Sequence, residues 1–524
     1  MLSAKKIYKK LEPERRPYLD RARECAAVTI PSLFPEEGHT GQNSNPNPNQ
    51  SFAAECVNTL ASKMLIGLFP PNVPFFRQSL AKTTQMELTQ GNPDVLREIL
   101  KILGMIEIEA TSEAESLGWR PVLENDLMNN VVGGNYLLHF KDDGRLKGFD
   151  LTQYVTKRTH QGDLLDMVLE EKLAMQALPD DLREKVQFLR TTKKVTNPQV
   201  GVNERDDTVH LYTHVERKGD KFRVYQEMEE HIVPDSEGTY RLERNPWIAS
   251  RWRSHAGEHY GRSMVEDYYG DLNAFDVISK AIREAVAIGA RTVILRRPGG
   301  LTKARDIVKA ENGDVINGRD EDVSVLKVDK QVDLAVAERF LDRLEGRLSR
   351  AFLSTASARR DAERVTLGEI RYMVAELNEA LGGVYAMRSQ EVQHPLAVLH
   401  LYRMQSKSLL PKLPDQATRL SIVTGLEALS REQELQNLHQ GLKTAADILG
   451  PEVVAQFTDP ANIIQRIFTA LRIDPDGAIK TPDQVSAEQQ QNQAMALIQQ
   501  LGPEGMKLIQ SAMQNQGNPN GQAA

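Results

Sequence analysis

Several stretches of this chain carry side chains whose types and spacing could do chemistry. Residues 255–261 read HAGEHYG, and His255, Glu258 and His259 are the kinds of residue that ligate a metal. Two histidines four apart converge on one ion when a helix carries them, but Gly257 sits between this pair, so the expectation is a structural loop. Residues 318–324 read GRDEDVS, and Asp320, Glu321 and Asp322 could form a catalytic or metal-binding cluster. Adjacent acids beside Gly318 and Arg319 more often make a solvated turn, and that is the expectation here. Residues 351–366, AFLSTASARRDAERVT, place Arg359, Arg360 and Arg364 on a short polar break between two strongly helical segments.

Other catalytic signatures do not occur. The glycine-bearing PGG and LGG stretches lack the GxxxxGK[ST] spacing that wraps phosphates in backbone amides and a lysine, and neither HExxH nor GxSxG occurs. The chain is therefore expected not to be an enzyme and to use no cofactor and no metal.

The elements that position these residues lie in a chain of 524 residues, a length that implies two to four domains. Lys and Arg number 65 against 72 Asp and Glu, a net charge of −7 that argues against gripping nucleic acid over most of the surface. Cys25 and Cys56 have no CxxC or histidine cluster nearby, so they read as small buried residues in a reducing compartment. The charged, helix-patterned N-terminus does not read as a signal peptide. The longest apolar stretch, MLIGLFPPNVPFF at 64–76, is too short and proline-rich for a bilayer span, so no membrane is expected.

Residues 5–27 have the spacing of an amphipathic helix, as do 51–67 and 93–118, with a loop over 36–50. NYLLHFKDDGRLKGFDL (135–151) reads as strand, Asp-Gly turn, strand, and 208–228 repeats the pattern around Lys218-Gly219-Asp220. From 263 the chain turns mainly helical. Residues 263–290 keep an apolar stripe at Val265, Tyr268, Leu272, Phe275, Ile278/Ile282 and Val286, and 332–354 form a second long helix. Between them, 292–328 reads as a small α/β insertion. At a rise of ~1.5 Å per residue the two helices run roughly 42 and 35 Å, which suggests an antiparallel pair tipped by the insertion.

The second helix has three faces at about 100° per residue. Ala337, Leu341, Leu344, Leu348 and Phe352 share an apolar face; Arg339, Arg343, Arg347 and Arg350 a basic one; Glu338, Asp342 and Glu345 an acidic one. Either this is a solvated helix with ordinary charge pairs, or its basic flank meets the acidic flank of an identical neighbour, a head-to-tail contact that can close into a ring. Further on, Thr366-Leu-Gly-Glu369 and SREQ (430–433) fit capping boxes. Gly382-Gly383 and Pro395 are expected to bend the helix that begins after Thr366. The Gln/Asn/Ala-rich stretch past 481 reads as partly disordered or helical.

RRPYLDRARECAAVTIPSLFP (15–35), NTLASKMLIGLFPP (58–71), YGRSMVEDYYGDL (260–272) and AERVTLGEIRYMVAELNEALGGVYAMRSQEVQHPL (362–396) closely resemble the portal, or head-to-tail connector, family of short-tailed bacteriophages. The resemblance runs from near residue 8 to about 475, in order. It implies an α+β, mainly helical portal fold, assembled as a ring of about twelve copies around an axial channel at one capsid vertex. Double-stranded DNA would be packaged and ejected through that channel. In the family's terms the wing covers 1–262 and 366–415, the stem helices 263–291 and 329–353, and the clip 292–328. The tunnel loop covers 354–365, the crown 416–475, and 476–524 form a C-terminal tail.

The implied partners are the terminase large subunit, a tail adaptor, the major capsid and scaffolding proteins, and internal core proteins. Arg296, Arg297, Lys303, Arg305 and Arg319 of the clip would meet the motor and adaptor. Arg359, Arg360 and Arg364 would touch DNA phosphates without reading bases. Asp361 and Glu363 leave that loop only weakly basic, which suits passage better than clamping. Twelve helices each ~10 Å across give a bore of roughly 28 Å, enough for a B-form duplex. A capsid scaffolding or internal-core protein, also helical and acidic, is the alternative.

Overall fold

The computed structural model describes residues 3–36, 47–71, 73–80, 93–196, 208–289, 293–299, 301–326, 331–354, 380–411, 418–422, 440–448, 450 and 453. The chain divides into two compact units, Met1–Ala428 and Leu429–Ala524. In the second unit, residues 440–448 are helical.

The first unit mixes helices with antiparallel sheet. Helix α1 (Ala4–Ala27) opens on Ser3, whose hydroxyl accepts from the Lys6 amide at 3.3 Å, and runs through Pro13 and Pro17. Buried Glu227 reaches back to the same helix start and accepts from the Ala4 amide at 2.7 Å, placing a carboxylate at the positive end of the helix dipole. Helix α2 (Phe52–Leu68) is largely buried. Helices α3 (Pro93–Ser116) and α4 (Trp119–Gly133) follow it, after strand β1 (Phe76–Leu80).

Sequence periodicity gave no sign of α4, because its buried positions include Asp126, Asn129 and Asn130 beside Leu123, Leu127, Val131 and Val132. Gly134 ends it at φ +76, and a Cβ there would come within 2.8 Å of the Gly261 carbonyl oxygen, so only glycine fits.

Strands β2 (Asn135–Phe140) and β3 (Leu146–Phe149) form the expected hairpin, and β10 (Trp247–Arg251) adds to the other side of β2. A larger antiparallel meander orders β4 (Tyr154–Arg158), β5 (Leu164–Ala174), β6 (Thr208–Lys218), β7 (Lys221–Met228) and β8 (His231–Ile232), with β9 (Gly238–Arg241) also on β7. Tyr8 and Leu11 of α1 pack on Val155, Val168, Tyr212 and Tyr225 of that sheet. Helix α5 (Asp180–Thr196) covers a second patch of it through Val186 against Val209, Leu211 and Met228.

After Arg251 the chain enters a short helix, α6 (Met264–Asp267), breaks at Tyr268, and continues as α7 (Tyr269–Gly289). Strand β11 (Val293–Arg296), helix α8 (Ala304–Lys309) and strand β12 (Val323–Leu326) make up the insertion, with β11 and β12 antiparallel. Helix α9 (Gln331–Ala351) is the second long helix. Residues 380–388 are helical and pass through a π turn, Ser389–Gln393, into α10 (His394–Ser406). Gly382 and Gly383 stay within the helix, and the π turn comes just before Pro395. Strand β13 (Thr418–Ile422) returns to pair with β1, so the start of the 416–475 stretch belongs to the first unit.

Candidate functional site: the paired long helices

The start of α7 lies against the end of α9, so the two run antiparallel. Leu272 and Phe275 of α7 join Leu344, Leu348 and Phe352 in the main core, and the Tyr268 and Phe352 rings sit 5.6 Å apart. Arg347 forms an ion pair with Asp271 across the pair. Asn49 fastens α7: its backbone amide and its side-chain amide donate to the two Asp276 carboxylate oxygens at 2.5 and 2.8 Å, and its side-chain oxygen Oδ1 accepts from Arg283 at 2.6 Å.

Toward the insertion the helices lose this cover. Val286, expected on the buried stripe, is 56% exposed, and Ile288, Val336 and Phe340 are exposed with it; Val277, nearer the body, is exposed too. The reason is geometric: two packed helices bury one stripe apiece, and the opposite faces stay open among the described residues.

The charged faces of α9 divide. Arg347 is satisfied within its own chain by Asp271. Glu338, Arg339, Asp342, Arg343 and Arg350 are exposed, and none of their side chains has an ion-pair partner among the described residues. Glu345 is half-buried.

In the insertion, Asp322 departs from the solvated turn expected of the acidic triplet, while Glu321 is exposed. Asp322 is buried and accepts from the Leu301 and Thr302 amides at 2.8 and 3.3 Å. The Thr302 hydroxyl in turn accepts from the Arg319 amide at 3.1 Å, and a Cβ on Gly318 would strike that hydroxyl at 2.3 Å. Asp322 closes the loop rather than facing solvent, because the amides of the preceding turn have no other acceptor there. Arg297, Lys303, Arg305 and Arg319 are all exposed around it, and Arg296 lies on β11 opposite Val323.

The end of α9 is built with care. Leu353 takes φ +55, its amide donates to the Arg350 carbonyl at 3.3 Å, and the Ser354 amide donates back to Ser349 at 2.7 Å. That pair of bonds is a Schellman cap, with leucine where glycine is usual. The buried Lys63 of α2 donates to the Leu353 carbonyl at 2.5 Å. Arg359, Arg360 and Arg364, and both expected capping boxes, lie outside the described residues.

Of the remaining candidates, Glu258 is held by Arg262 at 2.8 Å, and its carboxyl sits below its usual range through that hydrogen bond. His259 Nδ1 accepts from the Arg158 amide at 3.2 Å, which leaves HAGEHYG a structural loop. Among the described residues no cluster of His, Cys, Asp and Glu could hold a metal. Cys25 and Cys56 are free and buried, and burial pushes both thiols up to about 12.

Two structural features were missed in the sequence. One is Lys63, whose signal is a lone cation in the apolar run TLASKMLIGL. The other is a charge cluster at the π turn: buried Arg388 pairs with buried Asp126 of α4, and Glu391 accepts from Arg251 of β10 at 2.5 and 3.0 Å. No local pattern announces pairs so distant in sequence.

Residues 2–479 match the family model described as bacteriophage head to tail connecting protein. The chain is 37% identical over 489 residues to the portal protein of Escherichia phage T7, covering 92% of this chain and 89% of that one. It is 35% identical over 509 residues to the portal protein of Enterobacteria phage T3, covering 96% and 92%. A chain of the virion of a native gene transfer agent particle overlaps 75% of this chain and 95% of its own at 10% identity and a TM-score of 0.35, too loose a likeness to carry an argument.

Proposed function

The chain belongs to the bacteriophage head to tail connecting proteins, and from that membership we propose that it is a portal protein, a ring of about twelve copies at one capsid vertex. Double-stranded DNA passes through the ring during packaging and ejection. The observation that supports the ring is the bare outer half of the α7–α9 pair, where Val286, Ile288, Val336 and Phe340 are exposed. A patch of that kind, flanked by charges of both signs that have no ion pair among the described residues, is suited to an identical neighbour on each side.

In this reading α7 and α9 are the stem, residues 292–328 the clip, 1–262 with 366–415 the wing, and 416–475 the crown. The exposed basic residues of the clip meet the terminase large subunit during packaging and the tail adaptor afterwards; capsid, scaffolding and internal core proteins contact the rest. The segment 354–365 is the tunnel loop. Its Arg359, Arg360 and Arg364, offset by Asp361 and Glu363, touch passing phosphates briefly. The role is structural, the protein supplying a passage and docking faces.

Negative-stain electron microscopy with native mass on the same sample tests the assembly. Rings with an axial hole and about twelve subunits are expected; filaments or solid particles would favour a scaffold. Replacing Arg359, Arg360 and Arg364 together by alanine is expected to alter packaging or DNA retention with rings intact. Loss of rings would refute the channel role.

A further inference from the structure

Among the buried residues of α2, Lys63 is the only charged one. Lysine is buried in this way only when something repays its desolvation. Part of that repayment comes here from the C-terminus of α9, where the ammonium meets the Leu353 carbonyl at 2.5 Å and the negative end of the helix dipole. Leu353 itself is strained: φ +55 is a left-handed conformation that glycine would adopt freely and leucine resists. A glycine at 353 would end the helix with no outside help. With leucine, the stop depends on the buried Leu353 side chain and on a cation reaching over from another helix.

We propose that Lys63 is a positioning residue of the conduit: it caps α9 from a distance, fixes the residue at which that helix stops, and so sets the direction in which the chain leaves toward Arg359. The inference rests on the reading of 354–365 as the channel segment, but its first half, the cap, stands apart from it.

The reporters are the amides of Leu353 and Ser354, bonded to Arg350 and Ser349. In Lys63→Met, which keeps the aliphatic stem and removes the donor, these amides are expected to exchange at least about tenfold faster in assembled rings. Packaging is expected to fall as it does in the triple arginine variant, and Lys63→Arg, which keeps a cationic donor, to restore both. Unchanged exchange in Lys63→Met would overturn the cap. Faster exchange with full packaging, where the triple alanine variant is impaired, would overturn the positioning role and leave only a cap. Full packaging in the triple variant would instead sink the channel reading, whatever the exchange shows. Should Lys63→Met not assemble, acetic anhydride labelling of wild-type rings decides: Lys63 is expected to react at least about tenfold more slowly than the exposed Lys9 and Lys10. Equal reaction would rule out the buried cap.

Discussion

His400 sits on α10 with its Nε2 2.8 Å from the Ala110 carbonyl oxygen of α3, 1% exposed. Burial pushes its pKa down to about 4, with Arg403 nearby adding to the effect. Glu113 lies 3.8 Å away, close enough for an ion pair, but a ring held neutral by burial forms none at neutral pH. His139, stacked on Trp247 at 3.7 Å, is likewise lowered to about 4 by burial and by Lys141 and Lys147. It is only half-buried, so water screens part of that effect and His400 dominates. Both bind fewer protons folded than unfolded, where a histidine titrates near ~6.5. Their contribution is therefore complete above that value and is lost as pH falls toward about 4. The melting temperature is expected to drop between pH 7 and 4.5, a range above most carboxylate titration. His400→Gln, which can still donate to Ala110, is expected to flatten that drop; an unchanged slope would show that His400 is not its source. None of this was legible in the sequence, where a lone histidine in an apolar helix carries no sign of its neighbours.

The α7–α9 pair separates two arginines that look alike on a helical wheel. Arg347 closes on Asp271 of its own chain, whereas Arg343 has no ion pair among the described residues. If the basic flank serves the neighbouring copy, Arg343→Glu is expected to reduce ring yield by native mass and leave the melting temperature of the subunit unmoved. Arg347→Glu acts first inside the subunit, and because Arg347 is 56% exposed its loss is expected to cost no more than about 1 kcal/mol. Equal ring yields for Arg343→Glu and wild type would return α9 to an ordinary solvated helix.

The same elements show what could be read in advance. The hairpins at Asp143-Gly144 and Gly219-Asp220 and the helices over 4–27 and 52–68 follow from turn residues and periodicity, which are local. Helix α4, the strand pair β4–β5, the π turn and the Lys63 cap depend on tertiary neighbours. There the local signal is weak, as in α4, whose buried face includes Asp126, Asn129 and Asn130.

At the scale of the molecule, the buried hydrophobic residues among those described all lie in Met1–Ala428, the last being Leu410. The long helix pair proposed to carry the ring interface, the insertion and the α+β body belong to that unit too. Leu429–Ala524 forms a separate compact unit. The described apolar core and the proposed ring contact of α7 and α9 thus both lie in the first unit, and removing the second tests whether they suffice. Deleting Leu429–Ala524 is expected to leave the melting temperature within a few degrees of the full chain and to give rings of the same subunit number by native mass. Closed rings from the truncated chain would assign assembly to the α7–α9 pair and its flanks. A monomer with an unchanged melting temperature would move the ring-closing contacts to the second unit and reduce the exposed stem residues to an auxiliary surface. Leu429–Ala524 holds ten Asp and Glu against six Lys and Arg, so of the full chain's −7 the truncated chain keeps −3, and closing the proposed ring still brings like-charged copies together. Low salt is therefore expected to shift the truncated chain toward smaller species before it affects folding, a difference that native mass at two ionic strengths would read directly.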